Sequence, residues 1–305
     1  MAQEEIIHIH SVTEYCRLRG LPAPEHPLIT VVDYAKANYP EEGISPPIVT
    51  DYYSIAIKRG VGKLFYGQQV YDFDEGVMYC MAPKQVLRVQ TQANTKQKRS
   101  GWILLIHPDF LWGSDLAKKI KQYAFFDYSV NEALFLSEKE EQTINQIINS
   151  IRQEYSSSID AFSQNIIISH IETLLNYTER FYQRQFITRK ITNHKVLEQT
   201  EQFLSNYFEN TSTTKNGLPT VQSIASALNM SPGYLSSVLK TLTGQSAQQH
   251  IHEKLIQKAK EKLSTESLSV SEIAFQLGFE HSQSFSKFFK LKTGQSPVAF
   301  RQRFN

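Results

Sequence analysis

From Leu28 to about Phe110 the apolar residues come in short runs separated by Gly, Pro and Asp: "PLITVVDY", "YYSIAIKRG", "GKLFYG", "VYDFDEG", "GVMYCMAP", "QVLRVQ" and "GWILLIHP". Runs rich in Val, Ile, Tyr and Phe with turn residues between them predict the short strands of an all-β barrel or sandwich. Asp74-Glu75-Gly76, between "VYDF" and "VMYCMAP", is a hairpin-turn candidate. After "HPDFLWGSDL" the apolar positions take up a helical period. Ser137 stands three residues before Glu140 as a capping box, and Ile144, Ile147, Ile148 and Ile151 follow on one face. A second helix over 161–184 aligns Ile167, Ile171, Leu174, Leu175 and Tyr177 or Thr178. Two such stripes need apolar surface to cover. Either the barrel supplies it, or each stripe pairs with its copy in a second subunit. "RQFITRKITNHK" links this region to a third, which reads as short helices from about Val196 onward.

That third region repeats itself. "TVQSIASALNMSPGYLSSVLKTLTGQS" (Thr220 to Ser246) matches "SVSEIAFQLGFEHSQSFSKFFKLKTGQS" (Ser269 to Ser296) with one inserted residue. Val221, Ile224, Ala225 and Leu228 pair with Val270, Ile273, Ala274 and Leu277; Lys240, Thr243 and Gly244 pair with Lys290, Thr293 and Gly294. In each copy a short helix with Ile-Ala-x-x-Leu on one face is followed by a turn and a second helix behind a polar cap, Ser231-Pro232 or His281-Ser282. Ala225 and Ala274 permit close helix approach, Gly278 suits the turn, and "SAQQHIHEKLIQKAKEKLS" supplies a linking helix with Ile251, Leu255, Ala259 and Leu263 inward.

A helix-turn-helix places its second helix in the DNA major groove, where the outward side chains of its N-terminal half meet base edges. Those positions are Gly233, Tyr234, Ser236 and Ser237 in the first copy and Ser282, Gln283, Ser286 and Lys287 in the second. Gln283 suits adenine and Lys287 suits guanine or a phosphate, whereas small residues discriminate weakly, so the first copy positions more than it specifies. Lys240 and Lys290 are phosphate contacts by placement. Phe275, Phe279, Phe285, Phe288 and Phe289 are assigned to the core, and "HEKLIQKAKEK" to a solvated face.

Charge sharpens this picture. The whole chain of 305 residues carries only +2, but from Lys190 onward there are 13 Lys and Arg against 8 Glu and no Asp. The basic excess coincides with the repeat, as a polyanionic partner requires. With 41% apolar and 20% charged residues the chain has an ordinary globular composition. No run reaches the ~18 apolar residues of a membrane span, and "MAQEEIIHIH" lacks the basic start of a secretory signal, so a cytoplasmic location without membrane contact is expected. Cys16 and Cys80 lack metal spacing and receive no chemical role. His8, His10, His26 and His107 form no ligand cluster, "RGVGKLFYG" lacks the rest of a phosphate loop, and no Gly-x-Ser-x-Gly occurs. A non-enzymatic protein without cofactor or metal is expected.

"VSEIAFQLGFEHSQSFSKFFKLKTGQSPVAFR" closely resembles the signature of the AraC/XylS transcriptional regulators, with Ile273-Ala274, Gly278-Phe279, Phe285-Ser286, Phe289-Lys290, Gly294 and Ser296-Pro297 where that pattern expects them. Ser246-Ala247 departs from the usual Ser-Pro of the first copy. More loosely, "YDFDEGVMYCMAPKQVLRV" and "GWILLIHPDFLWG" resemble the cupin-like sensor barrel of such regulators, and the two long helices resemble their dimerisation hairpin. The resemblance implies an α+β chain with a cupin-like barrel and N-terminal arm over 1–136, a helical dimerisation hairpin over 137–188, and a double helix-turn-helix domain over 189–305. It implies a sequence-specific regulator acting as a homodimer, with promoter DNA, a small-molecule effector and RNA polymerase as partners. Phe65, Tyr66, Tyr79, Met81 and Trp102 are the candidates to line an effector pocket. A regulator without a ligand, whose barrel serves only dimerisation or protein contact, is the alternative.

Overall fold

The computed structural model describes residues 6–39, 43–44, 46–59, 64–66, 69–71, 77–87, 90–91, 99–128, 132–157, 160–188, 190–209, 217–266 and 268–303; at 43–44, 64–66, 69–71, 90–91, 188 and 190–194 the description is of the backbone. The strands are β1 (Ile7–Ile9), β2 (Ile29–Asp33), β3 (Gly43–Ile44), β4 (Ile48–Thr50), β5 (Tyr53–Arg59), β6 (Leu64–Tyr66), β7 (Gln69–Tyr71), β8 (Val77–Met81), β9 (Val86–Leu87), β10 (Gln90–Thr91), β11 (Ser100–Ile106) and β12 (Leu134–Phe135). The helices are α1 (Val12–Leu18), α2 (Leu116–Lys119), α3 (Glu138–Ser156), α4 (Ser163–Thr188), α5 (Lys190–Glu209), α6 (Val221–Ala227), α7 (Pro232–Thr243), α8 (Ala247–Thr265), α9 (Val270–Gln276), α10 (Ser282–Thr293) and α11 (Pro297–Arg301). Among the described residues no helix is long and apolar enough to cross a membrane. The chain divides into two compact units, Met1–Gln185 and Phe186–Asn305, and is mixed α+β with an all-helical C-terminal unit.

The first unit is built on a sheet of order β12-β8-β5-β11-β2, antiparallel at every pairing, beside a three-stranded sheet β1-β4-β9 and the two-stranded pairs β3-β10 and β6-β7. Among the described residues the strands do not close into a barrel. The expected turn at Asp74-Glu75-Gly76 lies outside the described residues. Near the N-terminus the chain adds structure that the pattern did not announce: β1 pairs in parallel with β4, and α1 starts behind the Ser11 cap.

Alternation divides the five-stranded sheet into two faces. Val32, Ala56, Val77, Tyr79, Met81, Ile103 and Leu105 form one core with Val12, Tyr15 and Cys16 of α1. The intervening positions, among them Ile55, Met78, Trp102 and Leu104, are buried on the other face. There the indole Nε1 of Trp102 donates to Asn145 Oδ1 of α3 at 2.8 Å, and Tyr155 at the end of α3 accepts the Val31 N–H at 3.0 Å. The second bond satisfies a donor on edge strand β2 that no neighbouring strand could take.

Helix α3 opens with the capping box of Ser137 and Glu140 and buries Ile144, Ile148, Ile151 and Tyr155, with Ile147 half-buried. Helix α4 buries Ile167, Ile171, Leu174, Leu175 and Thr178. Gln185 fastens α4 to the β12 segment, accepting from the Phe135 N–H and donating to Ala133 O. The apolar residues of both stripes are thus buried or half-buried within the single chain. The "TRKITNHK" stretch, expected as a linker, is helical where described, since α4 reaches Thr188 and α5 begins at Lys190.

In the second unit α8 runs between the two repeats and buries Ala247, Ile251, Leu255, Ala259 and Leu263 along one face. Around it α6–α7 and α9–α10 bring in Ile224, Leu235, Val238 and Leu239 and their counterparts Ile273, Phe285 and Phe289. Burying each large side chain of this kind is worth roughly 1.5–3 kcal/mol.

Candidate nucleic-acid interface

Each half of the repeat is built by the same local devices. Thr220 caps α6 with Ser223 and Ser269 caps α9 with Glu272, in reciprocal capping boxes. After each short helix the backbone enters the left-handed region at one residue, Asn229 (φ 54) or Gly278 (φ 92). The next N–H then reaches back to the small alanine: Met230 N–H donates to Ala225 O at 2.8 Å, and Phe279 N–H to Ala274 O at 3.0 Å. Gly278 is needed for room as well as for φ, because a Cβ there would stand 2.8 Å from the Gly217 carbonyl carbon and oxygen. Each second helix ends at a left-handed glycine, Gly244 or Gly294, whose N–H bonds to Lys240 O or Lys290 O at 2.9 Å. Their starts differ. Ser231 accepts from Tyr234 N with Pro232 in the first turn of α7, whereas His281 makes no side-chain cap on α10.

These devices hold two helices so that one face is core and the other is free. On α10 Phe285 and Phe289 are fully buried, Gln283, Lys287 and Lys290 are exposed, and Ser282 and Ser286 are half-buried. On α7 Leu235, Val238 and Leu239 are buried, Gly233, Ser236 and Ser237 are half-buried, and Lys240 is exposed. Positions 283, 286, 287 and 290 follow helical spacing, as do 233, 236, 237 and 240, so each set lies on one side of its helix. Among the described residues Lys240, Lys287 and Lys290 form no ion pair, while Lys258 and Lys262 of the linking helix are held by Glu209, Glu261 and Glu266. Lys254 and Lys260 of the linking helix are likewise without an ion pair among the described residues, so what distinguishes Lys240, Lys287 and Lys290 is their place on the outward helices.

Tyr234 corrects the expected set. It is only 8% exposed and its ring packs edge-on against Phe186, at 5.2 Å between centroids, so the outward face of α7 is made without it. Its counterpart on α10 is Ser284, which is exposed and which the sequence reading passed over. Of the phenylalanines assigned to the core, Phe279, Phe285 and Phe289 are buried and Phe288 is half-buried against His252 and Phe279, but Phe275 is 52% exposed. It falls on the solvent side of α9, between the buried Ala274 and Leu277.

The effector candidates are split by strand alternation. Tyr79 and Met81 belong to the core shared with α1, while Trp102 points through the opposite face to α3. The side chains of Phe65 and Tyr66 lie outside the described residues. Two clefts of about 380 and 290 Å³, one along the β2 edge and one around His26 and Phe110, are lined by other residues. Two cations to which the pattern assigned no role, Arg19 and Lys58, are buried in the first unit. Among the described residues no group of three His, Cys, Asp or Glu is placed to hold a metal ion.

A family model described as a helix-turn-helix domain matches residues 224–303. The raffinose operon transcriptional regulatory protein RafR of Pediococcus pentosaceus is 38% identical over 114 residues, which cover 36% of this chain and 39% of that protein. The Msm operon regulatory protein of Streptococcus mutans is 35% identical over 82 residues, 27% of this chain and 30% of its own length. The chain thus matches well under half of either relative. The HTH-type transcriptional regulator YfiF of Bacillus subtilis is 23% identical over 265 residues, 82% of this chain and 76% of its own. Among solved structures, the C-terminal domain of AraT, a response regulator from Geobacillus stearothermophilus, is 30% identical and covers 35% of this chain and 84% of that one, with a TM-score of 0.32. The C-terminal unit is a helix-turn-helix domain of the AraC type.

Proposed function

We propose that the protein is a sequence-specific DNA-binding transcriptional regulator that reads DNA with α7 and α10. The observation that carries this reading is the exposed, unpaired face of α10. Gln283, Lys287 and Lys290 are presented by a helix whose opposite side is fixed by Phe285 and Phe289. Gln283 offers the paired donor and acceptor that adenine matches, Lys287 donates to guanine or phosphate, and Ser282 and Ser286 adapt to either. Gly233, Ser236 and Ser237 let α7 approach the groove closely, with Lys240 and Lys290 on phosphates. The operon regulators among the relatives support promoter DNA as the target.

In this reading the first unit is the sensor, cupin-like by resemblance, and responds to a small molecule. The helical pair α3–α4 joins two copies of the chain, and the complex meets RNA polymerase at promoters in the cytoplasm. The test is selection of duplexes from a random pool by the full-length protein at two salt concentrations. The reading requires enrichment of two half-sites about one helical turn apart. Binding that weakens with salt but enriches nothing would reduce the interface to phosphate attraction. On the selected site, Gln283→Ala and Lys287→Ala should each cost ~1–3 kcal/mol, while the same loss on every sequence would assign both to phosphate.

A further inference from the structure

The core of the first unit contains an arrangement that packing alone does not call for. Lys58 of β5 is 6% exposed and Arg19, just after α1, is 8% exposed. Neither forms an ion pair with a carboxylate among the described residues. Both point at tyrosine. The Lys58 ammonium lies 4.8 Å from the Tyr79 ring centre, 5.0 Å from Tyr34 and 5.6 Å from Tyr39. The Arg19 guanidinium lies 4.1 Å from the same Tyr39 ring. The two cations therefore share an aromatic neighbour, and a third, Arg99, stands 5.8 Å from it.

Aromatic faces offset part of the cost of desolvating a cation, but they do not remove the repulsion between two of them. Burial, and after it the charge of Arg19, depress the Lys58 ammonium to about 7. The polar atoms around the pair are also incompletely used. Arg19 Nη1 donates to Asn38 O at 3.4 Å, while the buried Arg19 Nε and Tyr52 Oη have no hydrogen-bond partner among the described residues. A buried donor left without a partner keeps its full desolvation cost. One kind of occupant answers all of these costs at once: an anionic oxygen group that takes hydrogen bonds from unsatisfied donors and converts the repulsion into two attractions.

We infer that Arg19 and Lys58, within the cage of Tyr34, Tyr39, Tyr52 and Tyr79, form a binding site for a small organic anion whose phosphate or carboxylate sits between the two cations. The tyrosine rings receive the body of the ligand by stacking. This site gives the proposed sensor a chemical class of effector, and to that extent it rests on the regulatory reading above.

The test is calorimetric titration of the full-length protein, at constant ionic strength, with inorganic phosphate, glucose 6-phosphate, galacturonate, glucose and raffinose. The site requires glucose 6-phosphate or galacturonate to bind at least tenfold more tightly than glucose and raffinose, the better of the two identifying the anionic group. Lys58→Gln and Arg19→Gln should each weaken that anion at least tenfold. Where a variant does not fold, the preference of the natural protein for a charged over a neutral sugar decides alone. Equal affinity for charged and neutral sugars, anion binding unchanged in a folded Lys58→Gln protein, or no anion binding at all overturns the site. Affinity for a selected DNA duplex, measured on the same samples, separates the two ideas. Anion binding without DNA binding leaves the site and removes the regulator, and DNA binding without anion binding does the reverse.

Discussion

The interiors of the two units differ in kind. In the helical unit, Thr200 is the one polar residue buried among the described residues, and its hydroxyl is bonded to Val196 O one turn back. The sheet unit buries Arg19, Thr30, Lys58 and Glu132 among its apolar residues. A core that serves only to hold surfaces in place has no use for charge, since burying an unpaired ion costs several kcal/mol. The helical unit keeps its chemistry on the outside of α7 and α10, whereas the sheet unit carries unpaired cations within. The contrast predicts that substitutions inside the first and outside the second will separate stability from binding in opposite ways.

The largest effect tests the helical side of the contrast. Phe289 is fully buried in ring contact with Phe285 and Phe300. Phe289→Ala should destabilise the C-terminal unit by ~3–5 kcal/mol, read by urea unfolding followed by circular dichroism. Lys287→Ala, two residues away on the exposed face, should stay within about 0.5 kcal/mol of the natural protein. If Lys287→Ala unfolds the unit, the division between inner and outer face of α10 is wrong.

The sheet side is tested by pH. Lys58 has an ordinary value of 10.5 and is pushed down to about 7, first by burial and then by Arg19. Between these values the unfolded chain holds a proton that the folded chain has released. Stability therefore rises with pH from about 7 toward 10, by at most ~1.4 kcal/mol per pH unit for one proton. Lys58→Met should be more stable than the natural protein at pH 6, with the difference shrinking by pH 9. Tyr34, Tyr39 and Tyr79 around it, and Cys80 on the same strand as Tyr79, are all shifted upward by burial, and they remain in both proteins. The difference between the two unfolding curves isolates the lysine. A difference that does not change with pH would mean that Lys58 is solvated and that the cage is not closed around it.

The same contrast explains what could be read from the chain beforehand. The repeat was legible because its constraints are local. Ile-Ala-x-x-Leu, the turn residue, the cap and the closing glycine all lie within about two dozen residues, and their second appearance confirms the first. Tyr234 escaped because its partner, Phe186, lies far back in sequence and nothing near Tyr234 announces it. The sheet unit was legible in its strands but not in its faces. In "YYSIAIKRG" the alternation of Tyr53, Ile55 and Ile57 with Ser54, Ala56 and Lys58 reads as one inner and one solvent face, yet α1 and the segment through Tyr34 and Tyr39 cover the second. A buried lysine carries no local mark. Its burial is decided by elements distant in sequence, and β1 and α1 were themselves not foreseen.

The smallest effect probes the two turns of the repeat, which have the same backbone and different means of reaching it. Gly278 takes φ 92 and faces the backbone of Gly217 and Leu218, whereas Asn229, at φ 54, is exposed. Gly278→Ala should cost ~1–3 kcal/mol, because a Cβ meets backbone that cannot swing aside as a flexible side chain can. Asn229→Ala, which places the same methyl group at the other left-handed position, should cost about 1 kcal/mol, because that side chain meets solvent and only the backbone conformation resists it. Thermal unfolding of the two variants side by side makes the comparison. Equal losses would mean that both turns are limited by φ alone. A larger loss for Gly278→Ala would show that the second turn is also held by its close approach to the segment that precedes α6, a constraint from which the first copy is free.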